Sequence, residues 1–288
     1  MTLKDTMANA LEAGWADAVP LSWRQEFDNV SPDFTAHALN KVQEGEFSSP
    51  YPSLLPDQNQ RHLFRAFRGI APNQVRVCVI GQDPYPERDR ATGRAFEDGA
   101  AHSGIAISLR RLLQSAVTVS NQNQKADENA SGWSLIRDDA DQYFSETEAM
   151  TMYFDRLAEE GVLFLNAAWT FTESAPLPSK KELKYRRDRI QRAHAALWKP
   201  VTLRLIKRLA ERDDPPVFLL LGKKAKKILS TATKRDKKEI PNVYCPHPTA
   251  RKGAYFNHRN PLAQVNEILK PAAAVKWSPF DDEINEHA

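Results

Sequence analysis

The chain has 288 residues, 41% of them hydrophobic, and a formal net charge of +3. That length supports a well-buried core, yet no apolar run approaches the roughly 18 residues that a membrane span needs. Two cysteines, Cys78 and Cys245, exclude a disulfide framework and a four-thiolate metal or iron–sulfur centre. Both lie in strand-like runs, where buried free thiols are expected. The opening stretch MTLKDTMANALEAGWADAV lacks the basic start, apolar core and cleavage site of a secretory signal, so a cytoplasmic location is expected.

In chain order, TLKDTMANALEAG, WRQEF, DFTAHALNKVQEG and NQRHLFRAF have helical spacing, with SSPYPSLLPD as an extended link. Residues 1–54 read as an N-terminal helical extension to a body spanning 55–270. Within that body VRVCVIG (75–81), GVLFLN (161–166), PVFLLLG (216–222) and NVYCP (242–246) are continuously apolar and rich in branched residues, the pattern of buried parallel strands. SLRRLLQSAV, MTMYFDRLAEE, RRDRIQRAHAALWKPVTLRLIKRLAE and KKAKKIL are helical and lie between or beside them. Strands alternating with helices predict a single α/β domain with a central four-stranded parallel sheet flanked by helices. Residues 114–148 are polar and acidic and read as a surface insertion; 271–288 read as a loosely attached tail. KKELKYRRDRIQR reads as a charged, exposed helix, and GKKAKK as a basic helix start suited to phosphate.

Ligands of an open parallel sheet bind beyond the carboxyl ends of its strands. Behind the first strand stand Gln82, Asp83, Pro84 and Tyr85; the second ends on Asn166; the third runs through Gly222 into Lys223 and Lys224; the fourth reaches His247, Pro248 and Thr249. Taken singly, Asp83 is a turn residue, Asn166 a cap and His247 a structural histidine. Their joint placement on one rim points to a site. No Gly-x-Ser-x-Gly elbow and no phosphate loop ending in Gly-Lys-Ser/Thr is present. Cys245 lacks an orienting partner, and Asp83 with His247 lacks a third ligand at a metal spacing. No metal or other cofactor is expected.

GQDPY, GVLFLNAAWT, FLLLGKKAKK and HPTA, in that order, resemble the uracil-DNA glycosylase family, most closely its main branch, over roughly residues 55–270. GRAF, Gly93 to Phe96, matches the family segment whose phenylalanine stacks on a captured base. The resemblance implies a DNA glycosylase that hydrolyses the N-glycosidic bond of a base flipped from DNA. It assigns catalysis to Asp83, which places a water and opposes positive charge on the sugar, and to His247, which donates to the base oxygen. It assigns base binding to Gln82, Tyr85, Phe96 and Asn166, with Tyr85 closing off carbon 5, and DNA contact to Ser108, Thr249, Arg251 and Lys223. Single- and double-stranded DNA are the implied partners of a monomer.

The rim departs from that pattern. Pro86 stands where histidine is usual, Thr249 and Ala250 replace serine and proline, and Arg251 replaces the leucine that fills the gap of the flipped base. Prolines are absent from GIAISLRR, and Glu97 and Asp98 add acidity beside the pocket. Arg88, Asp89 and Arg90 offer polar groups to a base substituent. Uracil is therefore the first expectation, a modified cytosine of foreign DNA the second, and an inactive damage-binding module the third.

Overall fold

In the computed structural model, residues 1–12, 14–120, 125–234, 239–269 and 271–280 are described. The four apolar runs form β1 (Val77–Gly81), β2 (Val162–Asn166), β3 (Val217–Leu221) and β4 (Asn242–Cys245), all parallel, in the order β2-β1-β3-β4. Side chains alternate across the strands, so each face needs its own helical layer. Cys78, Ile80, Leu163, Leu165, Phe218 and Leu220 face one core. Val79, Phe164, Leu219, Leu221 and Cys245 face the other. The cysteines thus sit on opposite faces, both buried and free.

The helices are α1 (Leu3–Met7), α2 (Trp15–Ala18), α3 (Ile107–Val119), α4 (Arg137–Tyr143), α5 (Ala149–Glu159), α6 (Lys180–Ala210), α7 (Lys223–Ala232) and α8 (Pro261–Leu269). Buried residues of α1, α2, α6 and α7 cover the first face; those of α3, α4, α8 and, apart from Ala158, α5 cover the second. Among the described residues no helix is long and apolar enough to cross a membrane. The chain leaves β1 for β2 on one side and β3 for β4 on the other, which opens a crevice between the carboxyl ends of β1 and β3.

Three expectations change. WRQEF, DFTAHALNKVQEG and NQRHLFRAF form only short 3-10 turns, at Leu21–Phe27, His37–Lys41 and Arg65–Phe67. Aromatic packing holds the first and third in place of helix propagation: Trp23 sits 4.6 Å from Phe67, and Phe27 5.7 Å from Trp169. Residues 114–148 are not a surface insertion, because their few apolar groups converge on the second core. Ala116, Val117, Ala126, Trp133, Ile136, Ala140 and Phe144 are buried there, and Gln114, fully buried, ties the segment together through the carbonyls of Ala126 and Asn129. Positions 121–124 of that segment lie outside the described residues. Nor is the start of the tail loose. Val275 and Trp277 are buried, and Tyr153 and Arg156 of α5 donate to the carbonyls of Trp277, Lys276 and Ser278, each at 2.8 Å. Positions 281–288 lie outside the described residues.

Candidate active site

An open cavity of about 680 Å³ lies at the carboxyl ends of the strands, and Gln82, Asp83, Tyr85, Phe96, Ser108, Asn166, His247 and Thr249 all line it. Lys223 and Arg251 are exposed and stand outside that lining.

Asp83 follows β1 and is held from two sides. Gln82 Nε2 donates to its Oδ1 at 3.0 Å, and Gln191 Nε2, from α6, donates to its Oδ2. Lys224 Nζ donates to Gln191 Oε1 at 2.8 Å. Burial raises the carboxyl's pKa above the ordinary aspartate range, opposed by the bonds from Gln191 and Gln82 and by the charge of Lys224. Gln191 lies inside the stretch KKELKYRRDRIQR, so the reading of that stretch as a merely exposed helix is corrected: Ile190 is buried, and the next residue reaches the site.

His247 follows β4. The Thr249 backbone N–H donates to its Nδ1 at 3.2 Å, and the Thr249 hydroxyl lies 2.9 Å from the same atom. A nitrogen that accepts an N–H carries no proton, so the neutral ring bears its hydrogen on Nε2. Burial, then the charge of Lys224, lowers the imidazole pKa and keeps the ring neutral at pH 7. Gly222 makes room for this histidine: at φ +102° it adopts a conformation that L side chains avoid, and a Cβ there would lie 3.2 Å from His247 Cβ.

The opposite wall is the loop after β1. Phe96 has φ 65°, a strained conformation for a bulky residue, typically costing about 1–3 kcal/mol. Its neighbours impose it. Ala95 N–H donates to Phe164 O, and Tyr85 Oη donates to Phe96 O at 3.2 Å. Glu97, fully buried, takes two bonds from Arg65, at 2.9 and 3.2 Å, and one from Thr92 at 2.8 Å. The strained ring lies 6.3 Å from the imidazole of His247, centroid to centroid. Asn166, at the end of β2, is 4% exposed. A Cβ on Gly81 would come within 2.7 Å of its Oδ1, so glycine is needed for the amide to lie across the strand.

Several assignments change on this wall. Glu97 and Asp98 bring no acidity to the pocket, since both are fully buried and paired. Asp98 accepts from Arg90 at 2.6 Å and from the amides of Ala100 and Ala106, which bind the proline-free segment in place. Arg90 also reaches the Gly104 carbonyl, while Arg88 donates to Ser49 O and covers the Tyr51 ring. Arg90 nonetheless keeps a place in the cavity lining. Ser108 is buried in the cavity wall, its hydroxyl 3.0 Å from Tyr85 Oη, so it braces the tyrosine.

A family model for the uracil DNA glycosylase superfamily matches residues 68–270. The chain belongs to that superfamily. It is 30% identical over 231 residues to a uracil-DNA glycosylase of Lactococcus lactis, covering 77% of this chain and 83% of the relative. It is 24% identical over 262 residues to one of Chlamydia felis, covering 88% and 92%. Among solved structures, mimivirus uracil-DNA glycosylase superposes with a TM-score of 0.53 at 18% identity, over 89% of this chain and 86% of that one, a likeness of fold.

Within this glycosylase superfamily member, the groups that a motif reading misses are those contributed by helices. Gln191 reaches Asp83 from α6, across 108 residues of sequence, and Lys224 of α7 reaches Gln191. No local spacing signals such a pair.

Proposed function

We propose that the protein excises uracil from single- and double-stranded DNA by hydrolysing its N-glycosidic bond, acting as a monomer in the cytoplasm. The observation that carries the reading is the convergence of Asp83, Tyr85, Phe96, Asn166 and His247 on one cavity. The flipped base slides against Phe96, and Asn166 hydrogen-bonds its pairing edge. Tyr85, braced by Ser108 and the Phe96 carbonyl, blocks carbon 5 and excludes the thymine methyl. As the C1′–N1 bond breaks, its electron pair leaves with the base. His247 donates from Nε2 to the base oxygen where that charge collects, and Asp83 opposes the cationic sugar while directing a water to C1′. The sugar keeps the water's hydroxyl, and the proton neutralises the departing uracil. Thr249 and Lys223 contact the phosphates around the extruded nucleotide, and Arg251 fills the gap it leaves in a duplex.

The test is release of uracil from a labelled oligonucleotide, with abasic sites as the readout. Asp83→Asn is expected to lower single-turnover excision about 10²–10³-fold while DNA affinity changes little, since phosphate contacts dominate binding. An unchanged rate in this variant, or excision of a substituted cytosine with no release of uracil, would overturn the reading.

A further inference from the structure

We infer that Gln191 is a positioning residue for Asp83, and that Lys224 locks the Gln191 amide in the orientation this requires. The inference rests on the reading of Asp83 as the group that directs water. A glutamine amide has a donating end and an accepting end, and on its own it turns over freely. Lys224 has only protons to offer. Its donation to Oε1 therefore commits that oxygen to α7 and leaves the NH₂ end facing Asp83 Oδ2. Gln82 supplies the other oxygen's donor. One donor comes from the loop after β1 and one from α6, so the carboxylate plane is pinned at both ends. A free aspartate rotates about its last torsion, whereas a water meant for C1′ needs one fixed lone-pair direction.

The surroundings make the relay necessary. Asp83 separates the base cavity from a second cavity of about 310 Å³ between α6 and α7, whose charged lining is Arg192, Lys199, Lys224 and Lys227. The charged and titratable groups that line the two cavities with Asp83 are thus two cations from α6, two from α7, and on the base side Tyr85, Glu87, Arg90, Arg94, Arg110 and His247, with Tyr51 nearby. The charge of Lys224 acts on Asp83 through space, and its ammonium touches the amide that holds the carboxylate. Direct pairing with a lysine would draw the carboxylate toward α7 and away from the sugar. An interposed amide transmits the orientation while keeping the negative charge available to the oxocarbenium ion.

The experiment compares single-turnover uracil excision by the full chain, across an acid-to-neutral pH series, for Gln191→Leu, the isosteric Gln191→Glu, Lys224→Met, Asp83→Asn and the Gln191→Leu/Asp83→Asn pair. Gln191→Leu is expected to reduce the maximal rate about 10–100-fold with little change in the half-saturating DNA concentration, and to move the acid limb to higher pH. Gln191→Glu moves that limb further, because a second carboxylate faces the first. Lys224→Met moves it in the same direction. In the Asp83→Asn background Gln191→Leu costs nothing more. A slow Asp83→Asn together with wild-type rates and acid limbs in both Gln191 variants overturns the relay alone. Weaker DNA binding at an unchanged maximal rate also overturns it, making Gln191 a DNA contact. A wild-type rate in Asp83→Asn overturns the underlying reading of Asp83.

Discussion

The two walls that face each other across the base cavity are built in opposite ways. The loop after β1 buries Thr92, Arg94, Phe96, Glu97 and Asp98 and braces them with ion pairs to Arg65, Arg90 and Asp155. The loop after β4 exposes Thr249, Arg251 and Lys252, and its internal bonds are short-range: Ala250 N–H to His247 O, Thr249 to the imidazole, and Ala254 N–H to Arg251 O. The first wall stores strain at Phe96 and must be rigid to keep it. The second leaves its polar and cationic side chains uncovered, as the proposed contact with DNA phosphates requires. On the proposed function, recognition of the base and grip on the backbone fall to walls of different rigidity.

The contrast can be broken most severely on the rigid side. Glu97→Ala leaves the Arg65 guanidinium buried without its partner and is expected to cost about 3–5 kcal/mol of unfolding free energy, measured by denaturant titration. A loss below about 1 kcal/mol would mean that the wall does not depend on the pair. On the open side the expected losses fall on rate instead of stability. His247→Leu should lower single-turnover excision about 10²–10³-fold with an unfolding midpoint close to wild type. Thr249→Val keeps the backbone donor to Nδ1 and removes only the hydroxyl, so a drop of about 3–10-fold is expected. A loss as large as that of His247→Leu would show that the hydroxyl, and not the amide, sets the tautomer. The smallest effect is expected for Arg251→Ala on single-stranded DNA, within about 3-fold, with a larger loss on duplex, where a gap remains to be filled. Equal losses on the two substrates would reduce Arg251 to one more phosphate contact.

Reading along the chain reached the sheet and the strand-end residues because both are local signals. A fully buried parallel strand must be continuously apolar, and the residue that follows it is placed by the strand itself. Residues 114–148 misled for the complementary reason. Their composition is polar, yet a handful of apolar side chains, Trp133 and Phe144 among them, settle into the second core. Glu97 and Asp98 misled in the same way, since adjacency to Phe96 placed them beside the pocket, while Arg65 and Arg90 draw their side chains into the interior.

What the sequence determined by itself was the four strands, the helices that alternate with them and the set of polar residues at the strand ends, since periodicity and adjacency are properties of a few consecutive residues. Tertiary structure alone decided which of those residues are braced and by what. Gln191 reaches Asp83 from α6, Lys224 turns that amide from α7, and Ser108 faces Tyr85 from α3. Each contact joins elements far apart in the chain, and its existence depends on how helices cross the sheet, a packing outcome that no window of neighbouring residues encodes.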